Sequence, residues 1–290
     1  MFKKIGVFLE MIKIEHTLFA LPFAFMGAIL GSVTVNGHLP SWAQIGWILM
    51  AMFGARSAAF GLNRMIDQVI DKKNPRTAGR AIPAGLLKTA EVIVFTVVCF
   101  VLLFWAAIEL SPLAVKLLPI AVFFLVFYSY TKRFTWLCHL ILGLTIALAP
   151  LGGWVAVTNS IDWTAVLLYV SVAFWTAGFD VIYAIQDMEF DKKEGLFSIP
   201  ARFGLHGSLK IARYFHMVTA AGFIILFFAT DLSWWYFAGM VISYFILFYE
   251  HFILSPNDMS KLQTSFFTMN SVLSIVVFVF TLIDLVVQFH

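Results

Sequence analysis

Long apolar runs, separated by short polar connections, extend from residue 17 to residue 287. Nine of them approach the roughly 20 residues that an α-helix needs to cross the hydrocarbon core of a bilayer. They lie near 17–35, 42–62, 90–110, 112–130, 137–157, 163–183, 211–230, 233–254 and 265–287, with Pro112 separating the third from the fourth. The pattern predicts an all-α, polytopic membrane protein with nine transmembrane helices.

The composition agrees with a bilayer setting. Of 290 residues, 61% are hydrophobic and only 12% are charged, which is too little charge to cover a soluble globule of this size. Aromatic residues make up 17% of the chain and lie largely within the apolar runs. A nucleic-acid-binding protein would instead show them beside basic residues on a soluble surface. The expected partner is the lipid bilayer, and no nucleic acid partner is expected.

Basic residues lie almost entirely in alternate connections. Of the 19 Lys and Arg residues, all except Lys116 and Arg56 precede the first predicted helix or lie in, or at the edge of, the second, fourth, sixth and eighth connections. Positive residues are retained on the cytoplasmic side of a membrane. We therefore expect a multi-pass protein of the inner (cytoplasmic) membrane, with its amino terminus and charged loops in the cytoplasm and its carboxyl terminus outside.

Two acidic clusters stand at the ends of predicted helices on this cytoplasmic side. Asn63, Asp67 and Asp71 form the first cluster, and Asp187 and Asp191 form the second. Residues four apart lie above one another on a helix face, and stacked carboxylates repel unless a cation lies between them. The five side chains are candidate ligands of Mg²⁺, a hard cation that prefers oxygen and bridges to phosphates. A solvated helix end with capping residues is the alternative.

Further polar residues continue the faces of these clusters. Arg56 lies two helical turns before Asn63, inside a predicted span, where an arginine is costly unless it faces a polar cavity or an anion. It is a candidate ligand for an anionic small substrate such as an aromatic carboxylate, or else one member of a structural ion pair. Asp180 precedes Asp187 by seven residues, and Tyr183 and Gln186 add hydrogen-bonding groups beside that face.

Basic residues beside the clusters complete a candidate site for a diphosphate. Arg76, Arg80, Lys132 and Arg133 could neutralise a diphosphate whose oxygens are bridged by two Mg²⁺ ions. Such a site draws electrons into a leaving group. On an allylic chain, departure of that group leaves a carbocation that aromatic faces stabilise. For Lys132 and Arg133, anchoring of the chain at the membrane surface is the alternative.

The two acidic clusters are followed by similar segments. IDKKNPRTAGRAIPAG and FDKKEGLFSIPARFG both run from Asp through Lys-Lys to Ile-Pro, with Asp71 and Asp191 separated by 120 residues. The echo predicts one membrane-embedded domain, 1–290, made of two related helix bundles near 1–135 and 136–290. Chance similarity of two membrane-proximal loops is the alternative. Seven dispersed histidines, His139 among them, form no metal-binding motif and indicate packing or interfacial positions.

In these motifs the chain resembles the UbiA superfamily of intramembrane prenyltransferases over essentially its whole length. The first family motif is Asn-Asp-x-x-Asp-x-x-x-Asp, and here Arg64 stands at its first acidic position, so a ligand role is lost there. Ala184 stands where many 4-hydroxybenzoate enzymes carry Asp. The matching residues are Arg56; Asn63, Asp67 and Asp71; Arg76, Thr77 and Arg80; Tyr128, Lys132 and Arg133; and Tyr183, Gln186, Asp187 and Asp191.

The resemblance implies Mg²⁺-dependent transfer of a polyprenyl group from polyprenyl diphosphate to an aromatic ring in ubiquinone or menaquinone biosynthesis. Asp67, Asp71, Asp187 and Asp191 would be the catalytic carboxylates. IKIEHTLFALPFAFMGA, NPRTAGRAIPAG and YAIQDMEFD are similar to the branch that prenylates 1,4-dihydroxy-6-naphthoate. That acceptor and 4-hydroxybenzoate both carry a carboxylate, so Arg56 suits either.

Two other functions agree with a charged site in a membrane bundle. A lipid phosphotransferase with an acidic Mg²⁺ motif would break a phosphoanhydride bond and form no carbon–carbon bond. A secondary transporter would place broken helices near the middle of the membrane, whereas these clusters lie at one membrane face.

Overall fold

The computed structural model describes residues 2–13 and 17–288. Within this part the structure is helical, and the single β feature is an isolated bridge between Ser255 and Asp258. The helices are α1 (Phe2–Met11), α2 (Thr17–Gly31), α3 (Trp42–Ile66), α4 (Gln68–Lys73), α5 (Thr89–Leu110), α6 (Pro112–Thr131), α7 (Cys138–Ile146), α8 (Leu148–Thr158), α9 (Trp163–Ala184), α10 (Met188–Glu194), α11 (Ile199–Ala229), α12 (Trp234–Phe252) and α13 (Asn270–Gln288). A π-helix, Ser32–Asn36, follows α2; a 3₁₀ turn, Ile185–Asp187, follows α9; and a second π-helix, Thr264–Met269, leads into α13.

Seven helical segments in the described chain are long and apolar enough to cross a membrane, so the prediction of an all-α, multi-pass membrane protein is confirmed. They are Trp42–Ile66, Thr89–Leu110, Pro112–Thr131, Cys138–Thr158, Trp163–Glu194, Ile199–Ala229 and Thr264–Gln288. The first predicted span corresponds to a shorter apolar helix, Ala20–Asn36. The eighth corresponds to α12, whose last turns carry Glu250 and His251. The count of nine is therefore not confirmed and stays a prediction.

Capping residues explain where several helices begin. Ser41 and Gln44 form a capping box at the start of α3, with Gln44 N donating to Ser41 Oγ over 3.2 Å. Ser111 ends α5 and caps α6, which has Pro112 in its first turn, so the expected break at Pro112 is confirmed. The seventh span begins earlier than expected, because Ser198 caps α11 well before residue 211. The first turns of α11 are too polar to extend the apolar run, and the helix bends at Gly204, where φ is +67°.

Helix α9 lies at the centre of the bundle, packed against α7 and α11, and its Trp175 is fully buried. On one side α3 packs along α5, and on the other α2 packs against α8 and α13. The contact between α2 and α8 is a backbone contact: a Cβ added to Gly27 would lie 2.0 Å from Pro150 O. Small residues allow such close approach in membrane bundles. Helix α2 belongs to the first half of the chain but packs on helices of the second half, so the two halves interleave across the proposed 135/136 boundary. The two related bundles stay a prediction.

Candidate active site

Both acidic clusters lie where a long helix bends. Asp67 separates α3 from α4 with φ −94° and ψ 1°, and Asp187 ends the 3₁₀ turn just before α10 with φ −100° and ψ 0°. This bridge region of backbone space is sparsely occupied, and active-site residues are often found in it. The two aspartates are 120 residues apart, the same offset as Asp71 and Asp191. The similarity between the two sequence segments therefore includes the backbone conformation at this aspartate. Each cluster is thus divided at its first aspartate, so its side chains do not lie along one continuous α-helix.

Asp67 is the centre of the first cluster. Its side chain is 1% exposed; Oδ2 accepts from Lys132 Nζ over 2.6 Å, and Oδ1 accepts from Arg133 Nη2 over 3.0 Å. Asn63 Nδ2 donates to the same carboxylate over 2.9 Å. Arg64, buried in the wall beside it, donates through Nη1 to Asn63 Oδ1 over 2.9 Å. Arg64, which replaces the first acidic residue of the family motif, is thus a cation that orients the neighbouring Asn63.

Asp71 lies one turn further on and is also buried. Its Oδ1 accepts from Arg80 Nη1 over 2.7 Å, and Thr77 Oγ1 donates to its main-chain carbonyl over 3.1 Å. Its second oxygen, Oδ2, is buried and accepts no hydrogen bond from any residue that the structure describes. A buried carboxylate oxygen without a donor is costly unless a ligand supplies the positive charge.

The loop after α4 connects the two clusters. Arg76 forms a bidentate ion pair with Asp187. Nε donates to Oδ1 over 2.8 Å, and Nη2 donates to Oδ2. Arg76 Nη1 donates to the Tyr183 hydroxyl over 2.8 Å, and Asn74 Nδ2 donates to Asp187 Oδ1 over 2.8 Å. Burial lowers the pKa of the Arg76 guanidinium, but the hydrogen bonds to Asp187 hold it above its ordinary value. Arg76 is therefore a fixed cation between the clusters.

Two cavities meet at this loop. A polar cavity of about 140 Å³ is lined by Asp67, Asp71, Asp187 and Asp191 together with Arg76, Arg80 and Lys132. A larger, mostly apolar cavity of about 770 Å³ is lined by Arg56, Tyr183 and Phe179 near this end and extends to Leu110 and Ile161. Asn63, Arg76, Thr77 and Arg80 line both. The arrangement suits a ligand with a strongly anionic head and a long apolar tail.

The residues fit a hard divalent cation. Four carboxylates line one small polar cavity, and the buried Asp71 Oδ2 accepts no hydrogen bond from the described residues. Among residues 2–13 and 17–288, however, no group of three His, Cys, Asp or Glu side chains is already assembled to hold a metal. Asp67, Asp71 and Asp187 each pair with a basic side chain instead.

Other predicted site residues differ in where they lie. Arg56 lines the apolar cavity, where Nη2 donates to Lys13 O over 3.0 Å and the guanidinium lies 4.8 Å from the Phe60 ring centre. Arg133 lies behind Asp67 and also donates to the Ser129 and Ile66 carbonyls. Gln186 is exposed, donates to Tyr183 O over 3.2 Å and lines neither cavity within the described chain. The structure thus assembles the predicted set except for Gln186.

Sequence reasoning missed two contributors. Asn74 bridges Asp187 and the Arg76 backbone, and its position just before Pro75, after the acidic cluster, was an available signal. His139 is buried and holds Asp180 over 2.7 Å through Nδ1, while Asp180 lines the large cavity. No spacing in the sequence relates these two residues, because they come from different helices.

Comparison with known proteins agrees with this architecture. The UbiA prenyltransferase family matches residues 20–272, so the chain belongs to the UbiA prenyltransferase family and the prediction of a prenyltransferase enzyme is confirmed. It is 28% identical over 234 residues to a 4-hydroxybenzoate octaprenyltransferase of Vibrio campbellii, covering 81% of this chain and 82% of that protein. It is 37% identical over 212 residues to the mitochondrial 4-hydroxybenzoate polyprenyltransferase of Arabidopsis thaliana, covering 70% of this chain and 50% of that protein.

Solved structures show the same fold. The apo structure of a UbiA homolog from Aeropyrum pernix K1 superposes with a TM-score of 0.84 at 29% identity, covering 93% of this chain and 98% of that one. A UbiA homolog from Archaeoglobus fulgidus bound to DMAPP and Mg²⁺ has a TM-score of 0.73 at 18% identity, covering 97% and 99% of the two chains. The chain is thus a membrane prenyltransferase similar to the 4-hydroxybenzoate polyprenyltransferases.

Proposed function

We propose that this protein transfers a polyprenyl group from polyprenyl diphosphate to a small aromatic carboxylate, with Mg²⁺ as cofactor. The observation that carries the proposal is the junction of the two cavities. A polar cavity with four carboxylates opens, through shared lining residues, into an apolar cavity of about 770 Å³. This matches a substrate with a diphosphate head and an isoprenoid tail.

Asn63, Asp67, Asp71, Asp187 and Asp191 are the residues that would hold Mg²⁺. When bound, Mg²⁺ would neutralise charge that develops on the departing diphosphate. Arg76, Arg80 and Lys132 line the polar cavity and are placed to donate hydrogen bonds to diphosphate oxygens. Arg133, behind Asp67, supports that carboxylate. This set of carboxylates and basic side chains supports catalysis in which positive groups stabilise the leaving group.

The acceptor is proposed to lie against Arg56, in the apolar cavity. A guanidinium forms bidentate hydrogen bonds with a carboxylate, and the Phe60 ring beside it offers a face for an aromatic ring. Tyr183 and Phe179 line the same cavity and present aromatic surfaces to an allylic cation. The names of the curated relatives favour 4-hydroxybenzoate, and the motif resemblance favours 1,4-dihydroxy-6-naphthoate. Both belong to quinone biosynthesis, of ubiquinone and menaquinone respectively.

The sidedness of the basic residues supports an inner-membrane protein whose acidic clusters open to the cytoplasm. Diphosphate and aromatic acceptor would then arrive from the cytoplasm, while the isoprenoid tail stays in the bilayer. A lipid phosphotransferase is the closest rival, since it also needs an acidic Mg²⁺ site. It would not need Arg56 in an apolar cavity next to the polar one.

The test is product analysis with membranes that contain the protein, Mg²⁺, a labelled polyprenyl diphosphate and each acceptor in turn. We expect a new carbon–carbon bond to the aromatic ring with one acceptor, and no product in EDTA. Asp191→Ala should lose turnover by several orders of magnitude. Glu189→Gln is the matched control, because Glu189 is 79% exposed and pairs with Lys192. A phosphorylated lipid without any prenylated aromatic, or full activity of Asp191→Ala, would overturn the proposal.

A further inference from the structure

A buried carboxylate lies outside the reaction site just described. Glu250 on α12 is fully buried. Its Oε1 accepts from Asn270 Nδ2 over 3.1 Å and from Ser265 Oγ over 3.4 Å. Asn270 and Ser265 are also fully buried. A carboxylate is costly to bury inside a membrane protein, so its presence there indicates a functional role.

The network fastens a π-helix. Asn270 Nδ2 also lies 3.1 Å from the carbonyl oxygens of Ser265 and Phe266, which belong to the π-helix Thr264–Met269. A π-helix is a rare, widened turn that persists where its surroundings hold it and is frequent at functional sites. Here one amide group joins two π-helical carbonyls to the Glu250 carboxylate. Glu250, Asn270 and Ser265 form what we call the π-anchor.

The π-helix places one aromatic ring in the wall of the reaction cavity. Phe266 is 5% exposed and lines the large cavity. It stacks on Tyr183, with ring centres 4.2 Å apart and planes 30° apart, and packs edge-on against Phe179 at 5.7 Å. Since Arg76 holds the Tyr183 hydroxyl, Tyr183 is fixed at both its ring and its oxygen. Phe266 thereby completes the wall beside the polar cavity.

The same segment has exposed and buried residues side by side. Gln263 and Thr264 are exposed, whereas Ser265 and Phe266, the next two residues, are buried. An ordinary α-helical turn would change the direction of every side chain that follows. The π-helical turn therefore determines which residue of this segment lies at the cavity wall, and that residue is Phe266.

We propose that Phe266 is a water barrier at the reacting end of the cavity, and that the π-anchor residues are positioning residues that hold it there. This inference rests on the proposed prenyl transfer. Breaking the allylic C–O bond leaves diphosphate and an allylic cation. If the aromatic ring captures the cation, a C–C bond forms and the ring loses a proton. If water captures it, a C–O bond forms and a proton is lost, giving prenyl alcohol. Exclusion of water sets the ratio between these products.

The test is the ratio of prenyl alcohol to prenylated acceptor, measured with the full chain in nanodiscs with Mg²⁺, prenyl diphosphate and acceptor. We expect Phe266→Ala to raise the ratio by about tenfold or more, and the milder Phe266→Leu to raise it less. Asn270→Ala and Glu250→Leu should raise it several-fold. Glu250→Gln keeps an oxygen that accepts from Asn270, so it should restore a ratio near that of the wild type.

Thr281→Val is the matched control. Thr281 is buried on the same helix as Asn270, and its hydroxyl donates to Val277 O over 2.6 Å within that helix. It should change neither the ratio nor the anchoring. A general loss of folding lowers both products together and leaves their ratio unchanged. An unchanged ratio in Phe266→Ala and Asn270→Ala, with turnover reduced, would therefore overturn the inference.

A second measurement needs no turnover. Backbone hydrogen exchange across residues 264–270, in detergent and without substrates, should be faster in Asn270→Ala and Glu250→Leu than in Thr281→Val and the wild type. Equal exchange in all four overturns the π-anchor. If the wild type forms no prenylated aromatic, the proposed function fails, and the exchange data still decide whether the anchor exists.

Discussion

Replacing Asp67 by asparagine tests how strongly one carboxylate holds the two cations beside it. The substitution preserves size and removes the charge that Lys132 and Arg133 face at 2.6 and 3.0 Å. Loss of one partner of a fully buried pair costs about 3–5 kcal/mol. Because Lys132 and Arg133 are 29% and 31% exposed, they recover some hydration. We expect the free energy of unfolding without ligand to fall by about 2–3 kcal/mol, the upper part of the range for a lost hydrogen bond to a charged group.

A double-mutant cycle isolates the pair. Asp67→Asn, Lys132→Met and the double variant are unfolded reversibly in mixed micelles with EDTA present, and the coupling free energy is obtained from the three differences. We expect about 1.5–2 kcal/mol for this pair. The control cycle uses Lys73 and Glu194, which join α4 to α10 at 2.7 Å but are 57% and 27% exposed. Its coupling should be about 0.5 kcal/mol or less.

The outcome can contradict the argument in two ways. Effects of Asp67→Asn and Lys132→Met that add within about 0.5 kcal/mol would mean that the pair is not formed without ligand. Equal coupling in the buried and the exposed pair would mean that burial at Asp67 does not strengthen its contacts. Either result would remove the basis for treating this cluster as neutralised in the ligand-free protein.

Three further predictions concern the acceptor, the chemistry and the packing. Arg56→Ala should raise the acceptor KM by a factor that corresponds to about 1.5–3 kcal/mol and leave the donor KM nearly unchanged, with partial rescue in Arg56→Lys; equal changes in both KM values would assign Arg56 to structure. A donor fluorinated next to the reacting carbon should bind like the parent but react far more slowly in single turnover, because fluorine destabilises an allylic cation; reaction at the parent rate would exclude the cation. Gly153→Ala should lower the free energy of unfolding in detergent by about 1–3 kcal/mol, since a Cβ there would lie 2.1 Å from Ala24 O on α2. Gly152→Ala, whose Cβ meets open space among the described residues, should leave it unchanged.

The membrane fold was predictable because the length of each apolar run depends only on neighbouring residues in the sequence. The capping residues Ser41 and Ser111 are also local signals, and both mark helix starts. The bends at Asp67 and Asp187 were not predictable from spacing, since residues four apart fit a straight helix equally well. Gln186 illustrates the limit: it follows Tyr183 by one turn, yet the 3₁₀ turn rotates it away from the cavities.

Contacts between helices were the hardest part to anticipate. His139 and Asp180 meet only because α7 and α9 pack with a particular rotation and depth. The same holds for Glu250 and Asn270, which come from α12 and α13. A single sequence records which residues are polar, but the partner of each depends on side-chain packing along the whole bundle. Arg76 and Lys132 were predictable from their position beside the acidic clusters and from the motif resemblance, whereas the contacts of Asn74 and the π-anchor needed the structure.

The charge pairing in the polar cavity has a consequence for how substrates enter. Asp67 pairs with Lys132 and Arg133, Asp71 with Arg80, and Asp187 with Arg76, while Asp191 lines the same cavity. The formal charges of these four carboxylates and four cations cancel. A bare diphosphate must compete with the aspartates for these cations, and a bare divalent ion must compete with the cations for the aspartates. When both arrive together, each displaced charge finds a new partner at once. If the proposed function holds, we therefore expect the donor diphosphate and the metal to bind more tightly together than either binds alone.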